Sequence, residues 1–403
     1  DLFRQGSPSL YSGIVWIHTE SENKNKAAES NWRIDARSHK PSKGVQVFPK
    51  MPLLYGNLLS DRTPRLSRGN PQYQMSSFQG ESGMETGITP LIETRNLKKY
   101  FKVSHGMLHA VENINLKIYP GKTVGVVGES GCGKSTLGRA ILRLIEPTSG
   151  EVLFNGKSII KYNHSRMREM RRNMQIIFQD PYSSIDPRKT VAEIISEYMI
   201  INKTFKTKNE IWKRTAELMD TVGLAQRLAN AYPHELDGGR RQRIGVARAL
   251  SLQPKFIVCD EPVSALDVSI QAQILNLLMD LQEEMGLTYM FVTHNLSVVK
   301  HISNEIVVMY LGQCIEQAPV DELFENPQHP YTKALLNAIP DVDISARTKR
   351  IETIKGEITN PINPPPGCRF AKRCDYVFEP CREKDPELID LGGNHLCACY
   401  LKQ

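Results

Sequence analysis

The sequence predicts an α/β fold, a mostly parallel sheet covered by helices on both faces and built around a phosphate-binding loop. Three observations carry that reading. Gly128-Glu129-Ser130-Gly131-Cys132-Gly133-Lys134-Ser135 fits the pattern G-x-x-x-x-G-K-[S/T]. Short apolar runs at residues 123–127, 255–259 and 288–292 alternate with stretches of helical spacing. One of those runs, Phe256-Ile257-Val258-Cys259, leads directly into two acids, Asp260 and Glu261.

Residues 1–87 come first and differ from the rest. They are rich in Ser, Asn, Gly, Pro and charge with little periodicity, as in Ser21-Glu22-Asn23-Lys24-Asn25-Lys26. Such a stretch reads as a disordered extension. Met75 and Met84 stand just before the ordered-looking part, and residues 1–83 are expected to be dispensable. From Leu91 onward, residues 91–94, 109–111 and 114–118 predict strands of an edge sheet. Residues 123–127 predict a buried strand, and helical spacing follows the glycine loop over 137–144. Glu151-Val152-Leu153-Phe154 ends in an Asn155-Gly156 turn, and residues 174–178 predict another strand. Residues from about 190 to 250 lack strand alternation and carry helical spacing, as at Val191, Ile194, Ile195 and Tyr198. A helix over 269–285 separates the last two apolar strands.

Composition bounds the rest. A chain of 403 residues holds two or three domains, and 40% hydrophobic residues suffice for a core. No run of eighteen apolar residues encodes a membrane span, and no signal peptide is evident at the N-terminus, so an intracellular chain is expected. Net charge is +7, from Lys+Arg 51 against Asp+Glu 44, too mild for a dedicated nucleic-acid binder. Of eight cysteines, Cys368, Cys374, Cys381, Cys397 and Cys399 crowd the last segment. Disulfides are rare in the cytosol, so that crowding argues for metal.

The glycine loop has a physical logic. Glycines let successive backbone N–H groups turn toward phosphate oxygens, and the following helix N-terminus adds partial positive charge. Gly128, Ser130, Gly131, Cys132, Gly133, Lys134, Ser135 and Thr136 are thus the candidate nucleotide contacts. Lys134 would reach the outer phosphates and the Ser135 hydroxyl would bind Mg²⁺. Asp260, at the end of its strand, would hold Mg²⁺ through water. Glu261 would polarise the attacking water.

At this point the chain resembles the ATP-binding-cassette (ABC) ATPases, which are P-loop NTPases. Gln179, in Phe178-Gln179-Asp180-Pro181, is similar to their Q-loop. Leu236-Asp237-Gly238-Gly239-Arg240 resembles their signature motif, Ser264-Ala265-Leu266-Asp267 their D-loop, and Thr293-His294 their H-loop. All stand in the family's order over roughly residues 90–320. The resemblance implies an ATPase with an antiparallel edge sheet and an inserted helical subdomain at about 186–250. It implies ATP held head to tail between two cassettes, each site taking its signature from the opposing chain. It gives Gln179 to Mg²⁺ or water, His294 to the γ-phosphate, and Tyr100 to the adenine face, with Phe101 adjacent. The family's signature is Leu-Ser-Gly-Gly-Gln, so Asp237 and Arg240 are departures. Two like unit charges about 4 Å apart cost on the order of 4 kcal/mol near a protein surface. Asp237 is therefore expected to weaken one composite site of a heterodimer, with Arg240 and Arg241 offsetting part of the charge. The alternative is a substitution that simply disables the protein.

The end of the chain narrows the resemblance. Asn326-Pro327-Gln328-His329-Pro330-Tyr331-Thr332-Lys333-Ala334-Leu335-Leu336 resembles a segment of the oligopeptide, dipeptide and nickel branch of ABC importers. So does Phe178-Gln179-Asp180-Pro181-Tyr182-Ser183-Ser184. Cys368, Cys374, Cys381 and Cys399 are spaced C-x₅-C-x₆-C-x₁₇-C, and Cys397 is an alternative. The same branch carries such a tail, which in some members holds a [4Fe–4S] cluster. Four thiolates also suit tetrahedral zinc. The domains expected are a cassette over 88–325 and a cysteine-containing C-terminal region over 326–403. The function implied is an ATP-hydrolysing subunit for import of peptides or a related solute, at the cytoplasmic face of the inner membrane. Its partners would be two permease subunits, a second ATPase and, indirectly, an extracytoplasmic substrate-binding protein, with no nucleic acid. The rival reading is a soluble or regulatory ABC ATPase with weak turnover.

Overall fold

The computed structural model describes residues 89–339, 356 and 361–403. The expectations of a disordered and dispensable N-terminal extension lie outside the described residues.

Strand β1 (Ile92–Val103) pairs with β2 (Gly106–Ile118), then β3 (Thr123–Val127) leads into helix α1 (Lys134–Ile141). Next come β4 (Ser149–Phe154), β5 (Lys157–Ser158), α2 (His164–Met170), β6 (Met174–Ile177) and α3 (Pro181–Ser184). Helices α4 (Val191–Ile201), α5 (Lys208–Thr221) and α6 (Gly238–Leu250) precede β7 (Phe256–Asp260). The core closes with α7 (Val268–Met285), β8 (Thr288–Val292), α8 (Leu296–Ile302), β9 (Glu305–Tyr310) and β10 (Gln313–Pro319). The remaining elements are α9 (Val320–Glu325), α10 (Pro330–Asn337), α11 (Pro380–Glu383), β11 (Ile389–Asp390) and β12 (Leu396–Cys397).

The main sheet runs β11-β12-β10-β9-β3-β8-β7-β6. Its five strands from β9 to β6 are parallel, while β10, β12 and β11 add antiparallel at one edge. Every residue of β3, β7 and β8 is buried, as a parallel sheet covered on both faces requires. A second sheet, β2-β1-β4-β5, is wholly antiparallel. Helix α1 lies among the apolar residues shared by the two sheets: Leu137 and Ile141 pack in one cluster with Ile92, Leu116, Val126 and Val258. On the other side, α4 to α7 pack against Ile257, Tyr289 and Phe291. Capping boxes start two of these helices, Thr190 with Glu193 on α4 and Thr207 with Glu210 on α5.

Three expectations shift. The strand expected at 91–94 runs on to Val103, so Tyr100 lies within it. The two strands expected at 109–118 are one, β2. Helix α1 begins at Lys134 rather than Leu137, because Gly133 takes the left-handed N-cap position at φ 105°. A Cβ there would stand 2.0 Å from the Ala110 carbonyl oxygen, so only glycine fits.

Candidate active site

The phosphate loop, residues 128–133, joins the C-terminal end of β3 to α1. Lys134 is 4% exposed. Its Nζ donates to the carbonyl oxygens of Gly128 (2.8 Å) and Glu129 (2.9 Å). One residue on, Ser135 Oγ donates to Asp260 Oδ1 at 2.6 Å. Asp260 ends β7, is 1% exposed, and also pairs with Arg139 Nη2 at 3.3 Å. Residues 125 positions apart in sequence thus meet because β3 and β7 flank β8 in one parallel sheet.

Glu261 is the junction of the other half. It follows β7 with φ 47°, a left-handed conformation uncommon outside glycine. Its N–H donates to the Val292 carbonyl at 2.9 Å. Gln179 Nε2 donates to Glu261 Oε2 at 2.9 Å, and His294 Nδ1 lies 3.3 Å from the same oxygen. Ser264 Oγ donates to the Glu261 carbonyl at 3.1 Å, and Asp267 is the N-cap residue of α7. One pocket is lined by Ser130 through Thr136 together with Gln179, Glu261 and His294. Phe101, Leu108, His109, Ala110, Leu311, Gly312 and Pro361 complete its lining.

Tyr100 does not line that pocket; its neighbour Phe101 does. The Tyr100 ring stacks on His109 with centroids 4.0 Å apart, and its hydroxyl donates to Glu112 Oε2 at 2.6 Å. Leu311, Gly312 and Pro361 carry no motif, so sequence reasoning missed them.

Asp237, Gly238, Gly239 and Arg240 are also absent from the pocket wall. Asp237 is the N-cap of α6, and its Oδ1 accepts from Arg240 N at 2.7 Å. Arg240 Nε lies 3.4 Å from Asp237 Oδ2, with both side chains about half exposed. The two departures in this motif are therefore an ion pair one helical turn apart. Arg241 does not share it: its Nε donates to the Pro233 carbonyl and its guanidinium stands over the Tyr182 ring.

At the chain's end, Cys368, Cys374, Cys381 and Cys399 line one apolar cleft with Phe370 and Tyr376. Cys397 instead sits on β12, paired with Glu316 of β10. All eight cysteines are free thiols. Burial pushes the Cys368 thiol up to about 12, and raises Cys374 and Cys399 as well. Among the described residues, no group of three or more His, Cys, Asp or Glu side chains is disposed to hold a metal ion. Neither the [4Fe–4S] cluster nor the tetrahedral zinc expected there therefore finds support in this arrangement. The donors meet in one cleft but not around one point.

Comparison with known proteins identifies the family. The ABC transporter family model matches residues 111–264, and the model for the oligopeptide/dipeptide transporter C-terminal region matches 315–381. The dipeptide transport ATP-binding protein DppF of Escherichia coli strain K12 is 46% identical over 317 residues, covering 77% of this chain and 94% of that relative. The oligopeptide transport ATP-binding protein OppF of Bacillus subtilis strain 168 is 55% identical over 262 residues, covering 65% of this chain and 86% of that relative. Among solved structures, an ATP-binding cassette dimer in a post-hydrolysis state bound to ADP and Pi is similar with a TM-score of 0.53. It shares 31% sequence identity, covering 57% of this chain and 98% of that one.

Proposed function

Since the chain belongs to the ATP-binding subunits of ABC transporters, in the branch with the oligopeptide/dipeptide C-terminal region, we propose that its ATPase activity powers import of peptides or a related solute through a membrane permease. One observation carries the mechanism. Lys134, Ser135, Gln179, Glu261 and His294 share a pocket, while Asp237 to Arg240 stand outside it. A site that lacks its own signature segment is completed by another cassette, head to tail.

In this reading the loop backbone and Lys134 take the triphosphate, the ammonium exchanging its carbonyl partners for phosphate oxygens. Ser135, Asp260 and Gln179 offer hard oxygen donors that fit Mg²⁺, which when bound neutralises phosphate charge. Glu261 accepts a proton from the attacking water, and His294 orients that water and the γ-phosphate. Gln179 and His294 meet on one carboxylate oxygen, so Gln179 is placed to relay docking events to Glu261. The partner ATPase is proposed to be non-identical, with the site that faces Asp237 the weaker.

None of the described helices is long and apolar enough to cross a membrane. The proposed location is peripheral, at the cytoplasmic face of the inner membrane, against permease subunits served by a substrate-binding protein. Ile200, Ile201 and Trp212, large apolar side chains left exposed on α4 and α5, support a docking face there. A [4Fe–4S] cluster on Cys368, Cys374, Cys381 and Cys399 is proposed from their spacing alone; iron and acid-labile sulfide both missing from anaerobically purified protein would remove it. Affinity capture of the tagged chain from native membranes tests the whole reading. Two multi-span permeases and a second cassette ATPase are expected; the chain alone, or with ribosomes, would contradict it.

A further inference from the structure

Glu129, the second residue of the phosphate loop, has every polar group engaged. Its carbonyl accepts from Lys134 Nζ at 2.9 Å, and its N–H donates to Tyr331 Oη on α10 at 3.0 Å. Its carboxylate takes both arms of the Arg373 guanidinium, at 2.8 Å and 3.0 Å. Arg373 is 5% exposed and rests against Tyr310. Tyr331 and Arg373 both come from the C-terminal region. The same region also touches other residues of the pocket lining. The Pro361 carbonyl accepts from His109 N at 3.2 Å, and Arg369 bonds the Leu311 carbonyl and Glu112. Pro361, His109 and Leu311 all line the pocket.

A carboxylate in a loop that receives a triphosphate is an electrostatic obstacle. A bidentate, desolvated guanidinium is the arrangement that cancels it and fixes its direction. We propose that the C-terminal region is a working part of the nucleotide site, with Arg373 a positioning residue that neutralises Glu129 and holds the phosphate loop ready for ATP. The inference rests on the ATP reading above.

The test is binding of a fluorescent ATP analogue to the full chain, with steady-state ATPase of the assembly beside it. Arg373→Met is expected to weaken binding about tenfold, appearing in KM more than in kcat, with Arg373→Lys recovering part. Adding Glu129→Gln to Arg373→Met should restore binding to within about threefold of the parent, because the unbalanced carboxylate is gone. Unchanged binding in Arg373→Met, or a double variant as weak as the single one, overturns the inference. Should Arg373→Met fail to fold, Glu129→Gln alone decides. Equal or tighter binding supports the proposal, and weaker binding overturns it. If the parent chain itself binds no ATP, the nucleotide reading falls and this inference with it, an outcome distinct from a parent that binds and variants that do not differ.

Discussion

At the scale of single residues Glu261 is the proposed catalytic base, and Gln179 and His294 both meet its Oε2. Replacing Glu261 by Gln keeps the shape and removes the base. ATP binding should persist while single-turnover hydrolysis falls by about 100-fold or more; a fall of less than about threefold would assign the base elsewhere. Asp237→Ser separates fold from function. Asp and Ser are both strong N-caps, so α6 should melt unchanged while the ATPase rate of the assembly rises. No rise would show that Asp237 weakens no site. That Lys134, Ser135, Gln179, Glu261 and His294 would meet was legible in the sequence, because the phosphate-loop pattern and the strand-end acids admit few residue types at fixed spacing. The Arg373 contact with Glu129 was not legible, since 244 positions separate the two and no pattern joins them. Tyr100 shows a different limit: adjacent residues of a strand face opposite ways, so which of Tyr100 and Phe101 meets the pocket depended on a register no local pattern fixes.

Among elements, the buried strands β3, β7 and β8 were the plainest to read, because each is too short for a helix and rich in apolar β-branched or aromatic residues. Strands β11 and β12, two residues each, carry no periodicity and exist only through pairing, β12 with β10 and β11 with β12. Helix α10 holds a testable acid sensitivity. Its N-cap His329 is buried, accepts from Tyr331 N at 3.0 Å, and has its pKa lowered from 6.5 to about 3 by burial. Below pH 6.5 the unfolded chain takes up a proton that the folded chain refuses. Stability from this group is therefore complete above 6.5 and drains as pH falls toward 3. His329→Asn keeps an acceptor for the cap without the titration. Its melting temperature should fall less steeply than the parent's between pH 6.5 and about 5; parallel slopes would contradict this.

For the molecule as a whole, the fold class was readable from alternating strands and helices, whereas the part played by the C-terminal region was not. The sequence presents that region as a tail. In the structure, β12 pairs with β10 in the main sheet, Tyr331 and Phe370 share a cluster with Val308, and Arg373 reaches the phosphate loop. The central claim, ATP hydrolysis at this pocket driving solute import, is tested most directly by labelled dipeptide uptake into proteoliposomes. These would hold the assembly recovered with this chain and its substrate-binding protein, with ATP supplied on the face that carries the ATPase subunits. The account predicts uptake that requires ATP and that Glu261→Gln abolishes while the assembly still binds ATP. Uptake independent of ATP, or undiminished in Glu261→Gln, would contradict it.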